Sequence, residues 1–239
     1  TNTFRLGFLL RKENIEIFYT LTDSFRSSFV LWLSKSKKRI GYNSQGRGVF
    51  LTVKIKLPLK KTHRYKKYLK LIEKDDTSIN QKLIYFKKEE IEWAKHEIEK
   101  LGIKNPVGLF PFSVSETRTF PNEKISEWLN GSKENFLIFG AKNDAQKANV
   151  IINDNKNISM MSLCGKYSLR QSMALISLCK YALAADSGLG HISSIIKIPT
   201  ISFFGANRAF VTKPIGNSCV VIDHSNRCNP CKKNICCLK

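Results

Sequence analysis

The 239-residue sequence predicts an α/β protein in which parallel strands are covered by helices. Two observations lead there. From residue 87 onward short apolar runs alternate with amphipathic stretches, the pattern of strand–helix–strand units. Three of the connections, "SVSETRTFP", "ADSGLGH" and "FGANRAFVTKP", follow strands directly and carry glycine, hydroxyl and basic residues, as ligand loops do at the carboxyl ends of parallel strands. A hydrophobic share of 42% against 25% charged residues supports a packed core and excludes a disordered chain. No apolar stretch is long and uncharged enough to span a bilayer, and no secretory leader opens the sequence, so a soluble cytoplasmic protein is expected.

Taken in order, residues 15–21 ("IEIFYTL") predict a strand, followed by a helix in "DSFRSSFVLWLSKS" with Asp23 or Ser24 as its N-cap. In "KRIGYNSQGRGVFLTVKIKL" the glycines mark turns before a strand-like finish. Residues 63–74 have helical spacing of Tyr65, Tyr68, Leu69 and Ile72, and "DDTSINQK" reads as a connection. A second unit opens with the helix "KKEEIEWAKHEIEKLG", closed by Gly102, which places the division at residues 87/88. Strand "NPVGLFPF" leads to helix "NEKISEWLNG" with Pro121 at its start. Strand "NFLIFGA" leads to helix "NDAQKANVIIND", and the apolar piece "ISMMSLCG" to helix "SLRQSMALISLCK". Strand "YALAA" runs into helix "LGHISSIIK", then strand "PTISFFG".

The formal charge of +21 implies attraction to polyanions such as nucleic acid, anionic lipid or phosphorylated glycolipid. The lysines are scattered and no nucleic-acid motif accompanies them; a lysine-rich proteome bias explains them equally well. Of seven cysteines, Cys164 and Cys179 lie in apolar contexts and read as core residues. Cys228, Cys231, Cys236 and Cys237 cluster in "CNPCKKNICC", whose spacing is poor for a closed tetrahedral metal site. His63 and His96 are expected to face solvent, and His224 lies in a loop beyond a strand.

In "ADSGLGH", Gly188 and Gly190 would let a ligand approach the backbone and permit positive φ. The helix behind them offers free N–H groups and its dipole to a phosphate, with Ser187 and His191 adding donors. Asp186 would cap that helix or accept from a ligand hydroxyl; a glycine-eased turn capped by Asp186 or Ser187 is the structural alternative. Arg118 stands where it would clamp a diphosphate, or else be a solvated arginine, and Lys213 has the same two readings. No nucleophile elbow or paired hydrolase carboxylates are present in the sequence.

The ordered series "PFSVSETRTFP", "FLIFGAKNDA", "LCGKYSL", Asp186–His191 in the form Asp-Ser-Gly-x-x-His, and a late C-x-P-C resembles the bacterial lipopolysaccharide heptosyltransferases of glycosyltransferase family 9, closest to the heptosyltransferase II branch. "LTDSFRSSFVLWLSKSKKRIGYNSQGRG" is similar to the family's acceptor-side segment, so the resemblance covers nearly all of the chain.

The resemblance implies a GT-B fold: an incomplete acceptor-side Rossmann-like domain at residues 1–87 and a donor-binding Rossmann-like domain at 88–239. It implies inverting transfer of heptose from ADP-heptose to the inner core of lipopolysaccharide, with no metal and no cofactor besides the donor. Asp186, Ser187, Gly188, Gly190 and His191 then take the donor, with Arg118 in the place of a phosphate-binding lysine and Ser113, Ser115 and Gly205 lining the pocket. Ser24, Arg26, Lys37, Lys38 and Arg39 would belong to the acceptor side, where Lys37, Lys38 and Arg39 would hold a phosphorylated core at the cytoplasmic face of the inner membrane. Nucleic acid is then no partner. The family's base is an aspartate of a first strand–loop expected to precede Thr1, so no catalytic residue is assigned, Asp23 is read as a cap, and truncation is expected at both ends. A non-catalytic remnant that binds ADP-sugar or anionic glycan is the second reading, and a basic nucleic-acid-binding module the third.

Overall fold

A computed structural model describes residues 2–59, 61–73 and 83–223, so the terminal cysteine cluster and His224 lie outside the described residues. The chain divides into two compact units, Thr1–Thr77 and Ser78–Lys239.

The first unit holds a parallel three-stranded sheet, β1 (Ile17–Tyr19), β2 (Lys38–Asn43) and β3 (Val53–Lys56), in that spatial order. Helices α1 (Thr3–Lys12), α2 (Phe25–Leu33) and α3 (Arg64–Leu71) accompany it. Ser24, not Asp23, caps α2, its Oγ accepting from the Ser27 N–H at 3.1 Å. His63 caps α3 through Nδ1; His96 of the second unit is exposed.

Two elements differ from the sequence expectation, and both contain a glycine used for packing. The pattern predicts no element over residues 1–14, yet α1 forms there and presses Gly7 against α2, where a Cβ would lie 2.4 Å from that of Leu33. The glycines after Lys38 read as turn markers, but Gly41 sits inside β2, where a Cβ would come within 2.5 Å of Thr20 Cγ2. Gly46, at φ +70°, is the true turn residue.

The second unit is a parallel six-stranded sheet in the order β6-β5-β4-β7-β8-β9. Its strands are β4 (Val107–Phe110), β5 (Asn135–Ile138), β6 (Ser159–Ser162), β7 (Ala182–Ala185), β8 (Thr200–Phe204) and β9 (Cys219–Asp223). Its helices are α4 (Lys88–Lys100), α5 (Asn122–Leu129), α6 (Ala145–Asp154), α7 (Leu169–Ile176), α8 (Gly188–Ile195) and α9 (Ala209–Thr212). Numbered within the unit, the order is third-second-first-fourth-fifth-sixth, the Rossmann arrangement, and the order of succession reverses between β4 and β7.

Both faces of this sheet are covered, which is why its strands read as continuous apolar runs. On one face Phe110, Leu137 and Phe139 pack with Ala94 and Ile98 of α4 and Ala174, Leu175 and Ile176 of α7. On the other, Leu109, Phe136 and Ile138 meet Ile125 and Leu129 of α5 and Ala148 and Ile151 of α6. Each of these buried Leu, Ile and Phe side chains contributes about 1.5–3 kcal/mol. Cys164 and Cys179 are buried as expected, and burial pushes the Cys179 thiol up to about 12. The piece "ISMMSLCG" supplies the edge strand β6, and Gly102 ends α4 at φ +68°.

Candidate functional site

The carboxyl ends of β4, β7 and β8 lie side by side in the sheet, and their three loops meet at Asp186. The loop after β4 is braced on itself. Ser113 donates its N–H to Thr119 Oγ1 at 3.1 Å, Phe120 N–H donates to Pro111 O at 2.9 Å, and Arg118 N–H donates to Ser115 O at 3.0 Å. Ser115 Oγ lies 2.9 Å from Thr117 Oγ1. Across the point of reversal, Ser113 Oγ donates to the main-chain oxygen of Asp186 at 3.2 Å. The carboxylate of Asp186 is buried; its Oδ2 accepts from Asn207 Nδ2 and faces Arg118 Nη1 at 3.8 Å. That distance is an ion pair without a hydrogen bond.

Ser187 occupies the N-cap position of α8, but neither it nor Asp186 caps the helix with its side chain. The Ser187 hydroxyl is buried and has no hydrogen-bond partner. This overturns the capped-turn alternative and leaves the first N–H groups of α8 without a side-chain acceptor.

The two glycines of this segment have different work. Gly188 is exposed, and a Cβ there would meet nothing within 4 Å, so the approach to the helix end is open. Gly190 is buried, and a Cβ would lie 3.0 Å from that of Ala184 and 3.4 Å from Ala185 O. The expectation that Gly190 admits a ligand or needs positive φ is therefore corrected: it lets α8 pack on β7, and neither glycine is among those with positive φ. His191 is half-buried on α8, and Gly205 is exposed at the end of β8. A helix N-terminus, an accessible guanidinium and two hydroxyls suit an anionic, diphosphate-like group. Asn207 is the residue that sequence reading missed. Its loop is one of the three candidate connections, but an asparagine whose partner is 21 residues away leaves no local pattern.

In the first unit the five acceptor-side candidates do not come together. Ser24 and Arg26 lie where the chain leaves β1 for α2, at the carboxyl edge of the sheet. Lys37, Lys38 and Arg39 lie at the amino end of β2, on the opposite edge. Lys37 pairs with Glu16 at 3.0 Å. Arg39 donates to Phe50 O at 2.8 Å and Ser36 O at 2.7 Å, so its guanidinium braces the fold.

The carboxyl edge instead carries Arg47, which is fully buried. Its Nε donates to Tyr42 O at 2.8 Å, Nη1 donates to Thr22 O, and Nη2 lies 3.5 Å from Asp23 Oδ1. Burial pushes its pKa down from the usual arginine value, and Asp23 opposes that shift.

Among the described residues, no helix is long and apolar enough to cross a membrane. The chain is 28% identical over 248 residues to the lipooligosaccharide heptosyltransferase 2 of Campylobacter jejuni, covering 99% of this chain and 73% of that protein. The structure of Escherichia coli ADP-heptose lipopolysaccharide heptosyltransferase II superposes with a TM-score of 0.72 at 21% identity, covering 92% of this chain and 72% of that one. An Escherichia coli heptosyltransferase solved with ADP superposes with a TM-score of 0.63 at 13% identity, covering 91% and 69%. These likenesses bear out the expected GT-B class of fold. The family described as "Glycosyltransferase family 9 (heptosyltransferase)" matches residues 3–239. That match runs through both units and takes in the Asp186 junction, and on it the chain belongs to glycosyltransferase family 9.

Proposed function

We propose that this glycosyltransferase moves heptose from ADP-heptose to the phosphorylated inner core of lipopolysaccharide, inverting the anomeric centre and using no metal. The observation that carries the reading is the meeting of three loops at Asp186 beside the uncapped start of α8. The names of the relatives support heptose as the sugar, and the Escherichia coli enzyme solved with ADP supports the nucleotide.

In this reading the N–H groups at the start of α8, the Ser187 hydroxyl and Arg118 hold the diphosphate. Ser113, Ser115, Gly188, His191 and Gly205 line the same place. As the glycosidic bond to ADP breaks, negative charge grows on the departing phosphate, and the helix dipole and guanidinium stabilise it where a metal would otherwise be needed. Attack by the acceptor hydroxyl from the opposite face of the sugar gives inversion. The base that takes the hydroxyl proton is not assigned to a residue of this sequence. Asp23 lies 3.5 Å from the buried Nη2 of Arg47. The charge of +21 draws the protein to an anionic acceptor at the cytoplasmic surface of the inner membrane.

Calorimetric titration with ADP is the direct test. Binding by the intact chain that falls about tenfold or more in Asp186→Ala and is unaffected by chelator is expected. Wild-type affinity in Asp186→Ala would sink the donor reading. Transfer that requires added divalent metal would sink the metal-free mechanism.

A further inference from the structure

Asn207 and Arg118 reach the same oxygen of Asp186 from opposite sides. Asn207 comes from the loop after β8 and makes a hydrogen bond to Oδ2. Arg118 comes from the loop after β4 and stops 3.8 Å away, although an arginine beside a buried carboxylate ordinarily closes into a hydrogen-bonded or bidentate pair. Asp186 has 7% of its side chain exposed and Arg118 has 29%, so the acid is enclosed while the guanidinium remains within reach of solvent. Ser113 fixes the backbone of Asp186 from the β4 side, which leaves the carboxylate oxygens as the contested feature.

We infer that Asn207 is a positioning residue: by occupying Asp186 Oδ2 with a neutral donor, it keeps Arg118 out of a closed ion pair and so available to the donor phosphate. A guanidinium locked on Asp186 would have to break that pair before meeting a diphosphate, and the cost would appear as lost affinity. A neutral amide satisfies the buried acid without adding a second positive charge that would repel Arg118. The inference rests on the donor-site reading of Asp186 and Arg118, and it assigns to Asn207 a function exerted through them.

The test is a double-mutant cycle on ADP affinity, measured calorimetrically on the intact chain with wild type, Asn207→Ala, Arg118→Ala and the double variant. Asn207→Ala is expected to weaken ADP about tenfold when Arg118 is present and to have no further effect when Arg118 is absent. Equal losses in both backgrounds, or no loss in either, would overturn the inference.

Asn207→Asp keeps the shape but sets a second carboxylate against Asp186. The pair then holds a proton more readily than either acid alone. Its ADP affinity should rise relative to wild type as the pH is lowered from about 8 to about 5.5, when one shared proton restores a donor to Oδ2. A pH response parallel to that of wild type also overturns the inference. If wild type does not bind ADP, or Arg118→Ala binds it as well as wild type does, the donor reading itself falls. A loss in Arg118→Ala with none in Asn207→Ala removes only the part given to Asn207.

Discussion

Each unit has an arginine and an aspartate at the carboxyl edge of its sheet, and the two pairs are opposite in burial. In the first unit Arg47 is fully enclosed and Asp23 is 43% exposed. In the second, Asp186 is enclosed and Arg118 is partly open. Arg47 donates through Nε to Tyr42 O and through Nη1 to Thr22 O, tying the exits of β1 and β2 together, while its buried Nη2 has no hydrogen-bond partner among the described residues and only faces Asp23 at 3.5 Å. An enclosed carboxylate with an open guanidinium leaves the positive charge where an anion can reach it. The same two residue types make a brace in one sheet and leave an accessible cation in the other, and burial of one partner decides which.

The largest expected effect is at the brace. Arg47→Ala strips donors from two carbonyls and removes a buried charge opposite Asp23, and should cost about 3 kcal/mol or more of the first unit's stability in urea unfolding. Arg47→Lys should recover only part of this, because an ammonium cannot reproduce the planar fork. If Arg47→Ala unfolds at the wild-type urea concentration, the contrast between the pairs is broken.

Next comes the open pair. Arg118→Ala should weaken ADP by about tenfold to a hundredfold while costing less unfolding free energy than Arg47→Ala, because Asn207 still donates to the buried Asp186. A large stability loss with unchanged ADP binding would make Arg118 a second brace.

Gly190→Ala sharpens the comparison from within α8. Its Cβ would press on Ala184, so thermal unfolding should register a loss of about 1–3 kcal/mol. Gly188→Ala, which meets open space and is not at positive φ, should be neutral or stabilising by up to about 1 kcal/mol.

The smallest effect belongs to a third pair. Arg170 donates to both oxygens of Glu90 on the surface, and this hydrogen bonding, followed by the Lys87 backbone N–H, lowers the Glu90 carboxyl to about 2. Its folded pKa lies below the unfolded one, so its stabilisation is present above about pH 4.5 and is lost as the pH falls through about 2. Arg170→Ala should flatten that part of the melting-temperature profile, and salt should shrink the difference.

Much of the second unit was legible in the sequence because its strands are buried on both faces and its helices alternate with them. The Asp186–His191 segment was legible as a strand-to-helix junction at the carboxyl edge of the sheet, and its order among neighbouring motifs pointed to the family. What escaped has a physical reason in each case. β2 hides behind Gly41, whose missing side chain makes room for Thr20 and so resembles a turn signal. α1 carries Gly7 on its packing face, where a helix pattern calls for a larger apolar residue. The division of work between Gly188 and Gly190 depends on which one faces Ala184, and one-letter spacing cannot show that. The acceptor-side candidates come from one segment that resembles the family's acceptor side, but a parallel sheet sends the two ends of a strand to opposite edges. Arg47 looked like one more surface cation, and Asn207 like one more loop residue.

The contact from Ser113 to Asp186 joins residues 73 positions apart, because the strands that follow each other across the point of reversal are far apart along the chain. During folding, the strand–helix pairs of β4, β5 and β6 can assemble from neighbours, but the junction at Asp186 waits until β7 has docked beside β4 and β8 beside β7. On the proposed donor reading, nucleotide affinity would therefore be acquired late and together with native topology, and a chain that has formed its helices but not this pairing would be blind to ADP. Ligand added to a refolding reaction would then pull selectively on the last, longest-range step.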